Sequence, residues 1–295
     1  MRRLLPSFPS FRQRPESRGG RGAFGLFLAV VLLFGTPTIA APARIASMNL
    51  CTDELVLQLA DLDRVVSVSY LSRDPGGSNV AALAEQVPVN HGLAEEILAA
   101  RPDIVFAGIY TSQASVALLR QAGMKVVAFD APVSFEEVVA QIREVAALLG
   151  EASRGETMIA DMERRLAAIA PAPKPLRTLV LRPNGFTVGG GSLVDTLIRR
   201  AGLANLGADP ALSTYREMPL EALVLAKPDL VILDEEEVPA PALAYDVLRH
   251  PVLRHMPYRM TVTGLPSRLW TCAGPAIVDA VSVLARAAGR IEGTP

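Results

Sequence analysis

The segment Glu95-Glu96-Ile97-Leu98-Ala99-Ala100-Arg101-Pro102-Asp103-Ile104-Val105 returns 126 residues later, without a gap, as Glu221-Ala222-Leu223-Val224-Leu225-Ala226-Lys227-Pro228-Asp229-Leu230-Val231. Each copy reads as a short amphipathic helix stopped by a proline, an aspartate turn and the start of a buried strand. A single helix-Pro-Asp-strand connection is common wherever helices and strands alternate. Two copies, one on each side of a long helical stretch, predict two related lobes.

Around these copies the chain alternates Val/Ile-rich runs with amphipathic stretches of about ten residues. Strands are expected at Arg44–Met48, Val65–Ser69, Ile104–Ala107, Val126–Phe129, Thr178–Arg182, Leu230–Leu233 and Met260–Thr263. Helices are expected at Thr52–Ala60, Ala94–Ala100, Ser112–Ala122, Leu193–Ala201, Leu220–Ala226 and Ala276–Gly289. That order predicts an α/β architecture with parallel sheets and crossover helices. Between the two groups, residues 134–169 carry apolar side chains at spacings of three and four, with Ser134 and Glu137 forming a capping box. An unbroken helix of that length would run ~50 Å from lobe to lobe. Gly150 marks a bend or short interruption, Gly155 a second, and the Pro-rich Ala170–Pro175 ends the helix.

Charge divides the chain differently. The first 43 of the 295 residues hold six arginines and one acid, Glu16, a surplus of five positive charges; the whole chain sums to −1, so the remainder carries −6. An acidic body argues against nucleic acid as partner. Within the leader, the twelve-residue apolar run AFGLFLAVVLLF (23–34) follows Arg18 and Arg21 and precedes the small residues of TIAAPA. This is the pattern of a secretory signal peptide cleaved after Ala40 or Ala43, too short for a spanning helix. No cysteine follows it directly, which counts against a lipid anchor.

The paired elements ending in Arg101-Pro102-Asp103 and Lys227-Pro228-Asp229, the long central helix, the leader and the strand-helix order together resemble the class III periplasmic binding proteins. The resemblance implies two Rossmann-like lobes with parallel sheets, joined by a long rigid α-helix, with a ligand cleft between them. It implies a signal peptide over 1–43, an N-terminal lobe over 44–133, an interlobe helix over 134–170 and a C-terminal lobe over 171–295. It also implies a soluble periplasmic monomer without catalysis or resident cofactor, which hands an iron-siderophore, haem or cobalamin-type corrinoid to an ABC importer. In that family one exposed glutamate near the start of each repeated helix meets arginines of the permease dimer. Counting seven residues back from each proline gives Glu95 and Glu221, with Glu96 adjacent. A carboxylate in a first turn also suits the helix dipole by itself; falling at the same position of both copies favours docking.

Ligands of parallel α/β sheets sit at the carboxyl ends of strands. The cleft candidates are therefore Asn49, Cys51, Tyr70, Arg73, Asn90, His91 and Tyr110 in the first lobe, and Asn184, Phe186, Arg268, Trp270 and Cys272 in the second. His91 is a candidate axial ligand to haem iron or cobalt, a hydrogen-bond donor, or a structural loop residue. Trp270, the sole tryptophan, stacks on a planar ligand or packs in the core. Arg73 and Arg268 suit an anionic chelate or ordinary ion pairs. Three readings stay open for Cys51 and Cys272: a disulfide locking the lobes, separate packing residues, or thiols for a soft metal.

An exported hydrolase would need an activated nucleophile, yet no Gly-x-Ser-x-Gly occurs; Gly189-Gly190-Gly191-Ser192 reads as a turn into a capped helix. Asp234-Glu235-Glu236-Glu237 reads as a solvated acidic loop. A zinc or manganese receptor of an ABC importer shares the bilobal plan, but such sites gather several histidines with carboxylates, and only His91 falls among the cleft candidates.

Overall fold

The computed structural model describes residues 41–212, 217–235, 243–255 and 258–292. The apolar run of the leader lies outside the described residues. The first lobe contains β1 (Ile45–Ser47), α1 (Leu50–Leu59), β2 (Val65–Ser69), α2 (Ala81–Ala84), β3 (Val89–Asn90), α3 (Ala94–Ala100), β4 (Ile104–Gly108), α4 (Gln113–Gln121) and β5 (Val126–Phe129). Its strands form one parallel sheet in the order β3-β2-β1-β4-β5. All five residues of β4 are buried, as expected of a strand covered on both faces by crossover helices.

Two helices follow, α5 (Phe135–Leu149) and α6 (Ala152–Ala167). The second lobe then contains β6 (Arg177–Leu181), α7 (Leu193–Arg200), β7 (Ala204–Asn205), α8 (Leu220–Ala226), β8 (Leu230–Glu235), β9 (Thr261–Pro266), α9 (Arg268–Thr271) and α10 (Ala276–Glu292). Its sheet, again parallel, runs β7-β6-β8-β9. Strand for strand this is the order β2-β1-β4-β5 of the first lobe. The two parallel-sheet lobes expected from the repeated segment are present.

The repeat extends to individual hydrogen bonds. Both α3 and α8 end on a left-handed residue, Arg101 and Lys227, each at φ +46°. Such a conformation is uncommon for a residue with a side chain, and these are two of the three non-glycine residues with positive φ among those described. Beyond the proline, Asp103 Oδ2 accepts the Arg44 amide at 2.9 Å, and the Arg44 guanidinium returns to the Ala100 and Arg101 carbonyls at the helix end. In the second lobe Asp229 Oδ2 accepts the Arg177 amide at 2.8 Å, and Arg177 Nη2 donates to the Ala226 carbonyl at 2.5 Å. Each aspartate thus ties its helix-to-strand turn to the start of the first strand of its lobe. The arginine satisfies carbonyls that a helix end leaves open.

The interlobe segment departs from the expectation of one straight helix. Ser134 caps α5 as read, accepting the Glu137 amide, and the Glu137 carboxylate accepts the Val133 amide. Gly150 then turns left-handed, φ +78°, and ends the helix. Beyond it α6 crosses α5. Arg143 bonds both carboxylate oxygens of Glu156 at 2.7 and 3.1 Å, whereas thirteen residues along one helix would separate them by about 20 Å. Gly155 sits at the contact, where a Cβ would come 2.5 Å from that of Ala146. Apolar positions that seemed to continue one stripe, Ile142, Val145 and Leu149 with Ile159 and Met162, are instead the facing surfaces of two helices in one core. Helical periodicity is blind to such a break, because both helices bury a face with the same spacing. Among the described residues no helix is long and apolar enough to cross a membrane.

Replacing Gly155 by valine should cost about 1–3 kcal/mol through overpacking at the helix crossing. Urea denaturation would read this as a lower midpoint at unchanged slope; an unchanged midpoint would contradict the crossing.

Candidate functional site

A cavity of about 660 Å³ opens between the lobes at the carboxyl ends of β1, β4, β5 and β6. The first lobe contributes residues 49–52, 108–110 and 129–133 with Gln141; the second contributes Arg182, 187–189, 192–194 and 270, 271 and 273. Asn49 caps α1 by accepting the Cys51 amide at 3.0 Å. Its side chain lies so close to Gly108 that a Cβ there would come within 3.1 Å of Asn49 Cγ. The glycine ending β4 thus lets the Asn49 side chain sit against the cavity floor.

One flank of the lobe junction is stitched shut. Cys51 at the start of α1 and Cys272 just past α9 form a disulfide, with Cα atoms 4.9 Å apart. Of the three readings open for the cysteines, the structure takes the covalent one. Nearby, Asn79 donates to the Arg268 carbonyl at 2.6 Å and accepts from the Arg268 guanidinium at 3.0 Å. The Asn79 amides also donate to Glu54 Oε1 at 2.9 and 3.0 Å. Burial pushes the Glu54 carboxyl above its ordinary value, against the opposing pull of Asn79 and Arg268. Beside it Asp53 is fully buried and accepts from the Ser69 amide at 3.1 Å and the Ser72 hydroxyl at 2.5 Å, fixing the turn after β2. Burial raises Asp53 from 3.8 to about 7.

On the opposite wall Arg182 lies 3.2 Å from Asp234 and 5.4 Å from the centroid of Trp270. Asp234 also accepts the Trp270 ring N–H at 3.0 Å and the Ser267 hydroxyl at 2.6 Å. Asp234 therefore belongs to an interior cluster and not to a solvated acidic loop; residues 236 and 237 of that loop lie outside the described residues. Trp270 touches the cavity but is only 2% exposed, its ring face under a guanidinium.

Of the residues read from sequence, Asn49, Cys51, Tyr110 and Trp270 line the cavity, and Tyr110 stands 83% exposed. The others do not line it. Tyr70 and His91 stack on each other at 5.1 Å, and the His91 ring faces Glu96 at 3.0 Å. Asn90 is buried, donating to the Ser47 carbonyl and Ser67 hydroxyl. Arg73 spends its guanidinium on the Ala84 and Val87 carbonyls, and Arg268 spends its own on Asn79. Asn184 occupies a left-handed turn position, Phe186 bridges to Glu217, and Cys272 is buried in the disulfide. Sequence reasoning missed Asp130 and Arg182 as cavity walls, although they immediately follow β5 and β6, and it read the Gly189–Ser192 turn as a helix start and not as part of the wall that residues 187–189 and 192–194 form. Ser192 caps α7 there by accepting the Asp195 amide, as its turn reading required.

Two duplicated parallel α/β lobes facing each other across a cavity at their strand ends define a class III solute-binding protein. Residues 45–257 match the profile of the periplasmic binding protein family, and the chain belongs to that family. A cobalamin-binding protein of Halobacterium salinarum (strain ATCC 29341 / DSM 671 / R1) is 28% identical over 204 residues, 65% of this chain and 53% of that protein. The chain thus spans about half the length of the curated relatives it matches. Among solved structures, the apo periplasmic heme-binding protein RhuT from Roseiflexus sp. RS-1 superimposes with a TM-score of 0.67 at 23% identity, covering 84% of this chain and 98% of that one. The periplasmic heme-binding protein BhuT in complex with two hemes gives a TM-score of 0.67 at 25% identity, covering 85% and 99%.

The disulfide closes a span of 221 residues. Replacing both Cys51 and Cys272 by serine should lower stability by about 2–5 kcal/mol and Tm by about 5–15 °C in calorimetry. The raised Asp53 value means that the folded protein holds a proton that the unfolded chain releases. Its contribution is therefore largest at acid pH and is lost as pH rises from about 4 through about 7. Asp53→Asn should flatten that fall in urea-unfolding stability; an unaltered pH profile would show that Asp53 is not its source.

Proposed function

We propose that this protein is an exported carrier that captures a metal chelate, whether an iron-siderophore, haem or a cobalamin-type corrinoid, and delivers it to an ABC importer. The observation that carries this reading is the interlobe cavity at the strand ends of two duplicated lobes. Family membership and the cargo named for the relatives support the choice of ligand class. The basic, apolar leader supports export to the periplasm. Binding needs no resident cofactor and no catalysis.

Glu95 and Glu221 serve as the docking carboxylates. Both stand exposed at the second residue of α3 and α8, helices of the same length ending in the same left-handed turn. Glu96, the neighbour that could replace Glu95, is already engaged: it accepts the His91 amide at 2.6 Å and faces the His91 ring. Two equivalent carboxylates, one per lobe, suit a two-fold permease presenting cationic side chains.

The test is delivery in two parts. Protein recovered from its host should carry a chelate in native mass spectrometry and pass it to vesicles holding its permease. Reversing both charges, Glu95→Arg with Glu221→Arg, should keep the bound chelate and reduce delivery at least ten-fold. Undiminished delivery by the double variant would remove the docking assignment, and recovery of a different class of ligand would remove the chelate reading.

A further inference from the structure

The donors around the cavity narrow the cargo, on the reading that this protein carries a chelate. We infer that it takes a chelate whose metal is already fully coordinated and which bears no net negative charge, such as a corrinoid with both axial positions filled or a ferric trihydroxamate. Haem and ferric triscatecholates do not meet that description.

The chain holds three histidines and two cysteines, and each has a place elsewhere. His91 pairs with Glu96 and stacks on Tyr70 away from the lining. The His250 ring accepts the Val252 amide, and the His255 ring bonds the Pro251 carbonyl. Both sulfurs are consumed in the disulfide, although Cys51 touches the cavity. No imidazole or thiolate is therefore presented to an open coordination position on a bound metal, the usual means by which a protein holds haem iron. The phenol of Tyr110, at the exposed mouth, is the remaining oxygen donor of that kind among the described lining residues.

Charge points the same way. Among the described lining residues Arg182 is the one cation, and Asp234 at 3.2 Å already compensates it. Asp130 adds a carboxylate to the wall. The two arginines that sequence offered for an anionic cargo, Arg73 and Arg268, are committed to backbone carbonyls and to Asn79. The two propionates of haem, or a trianionic triscatecholate, would give up water for a described wall whose one cation already faces a carboxylate, leaving mainly neutral donors, which is costly for a buried anion. An uncharged chelate meets instead the apolar surfaces of Ile109, Phe129, Val133 and Leu193. Such a ligand is held by packing and a few dipoles.

Calorimetric titration of the purified protein with cyanocobalamin, ferrioxamine B, hemin and ferric enterobactin tests this. Cyanocobalamin or ferrioxamine B should bind at least ten-fold more tightly than either hemin or ferric enterobactin, and which of the two does so identifies the chelate. Hemin as the tightest ligand, with an iron-ligation spectrum lost in Tyr110→Phe, would overturn the inference and assign Tyr110 to the metal. Ferric enterobactin as the tightest ligand would overturn it through charge. Either result leaves the carrier reading standing, whereas no binding by any of the four would remove that reading and this inference with it.

Discussion

The fold hangs on one carboxylate per lobe. Asp103 and Asp229 each hold the amide at the start of their lobe's first strand, while the arginine at that strand end closes the preceding helix. The proline before each aspartate forbids the helix to run on, and the left-handed residue before the proline turns the chain toward the sheet. With that turn fixed, β4 and β8 lie beside β1 and β6, and the carboxyl ends of β1, β4 and β6 open on the same space. Both walls of the cavity are thus placed by the same local chemistry used twice.

What separates the lobes functionally is the asymmetry added afterwards. The disulfide and the Asn79–Arg268 pair close one flank, over a layer of buried acids on α1. The cavity lies toward β4 and β5 and the start of α5, where Val133 accepts the Thr196 hydroxyl across the lobe junction. Carboxylates as deeply buried as Asp53 and Glu54 are tolerable because backbone and side-chain donors converge on them and burial favours their neutral forms.

Much of this fold was legible because parallel strands announce themselves as short apolar runs and because the helix-Pro-Asp-strand unit occurs twice. The bounds of α3, α8 and β5 coincide with those read from sequence. Arg44 and Arg177, which complete the repeated clamp, went unread: their partners are carbonyls, and backbone atoms leave no mark in a sequence. The interlobe crossing was hidden for a related reason, since one straight helix and two packed ones share a period. At the site, sequence could name the loops that follow strands but not the direction of their side chains. Arg73 and Arg268 look like anion ligands until the backbone and amide groups that absorb them are known. Trp270 sits where expected, yet Asp234 and Arg182 hold it as part of the wall.

The disulfide also bears on the order in which this molecule can be made. Its sulfurs stand near opposite ends of the chain, Cys51 on the first helix and Cys272 ahead of the last. A polypeptide that crosses a membrane N-terminus first presents Cys51 early and must keep it unpaired until nearly all the rest has followed. Because each thiol has no other cysteine of its own chain to pair with, the premature alternative is a mixed bond to another molecule. On the proposed export route, a disulfide between such distant positions forms only after both have emerged, and only where an oxidant is at hand.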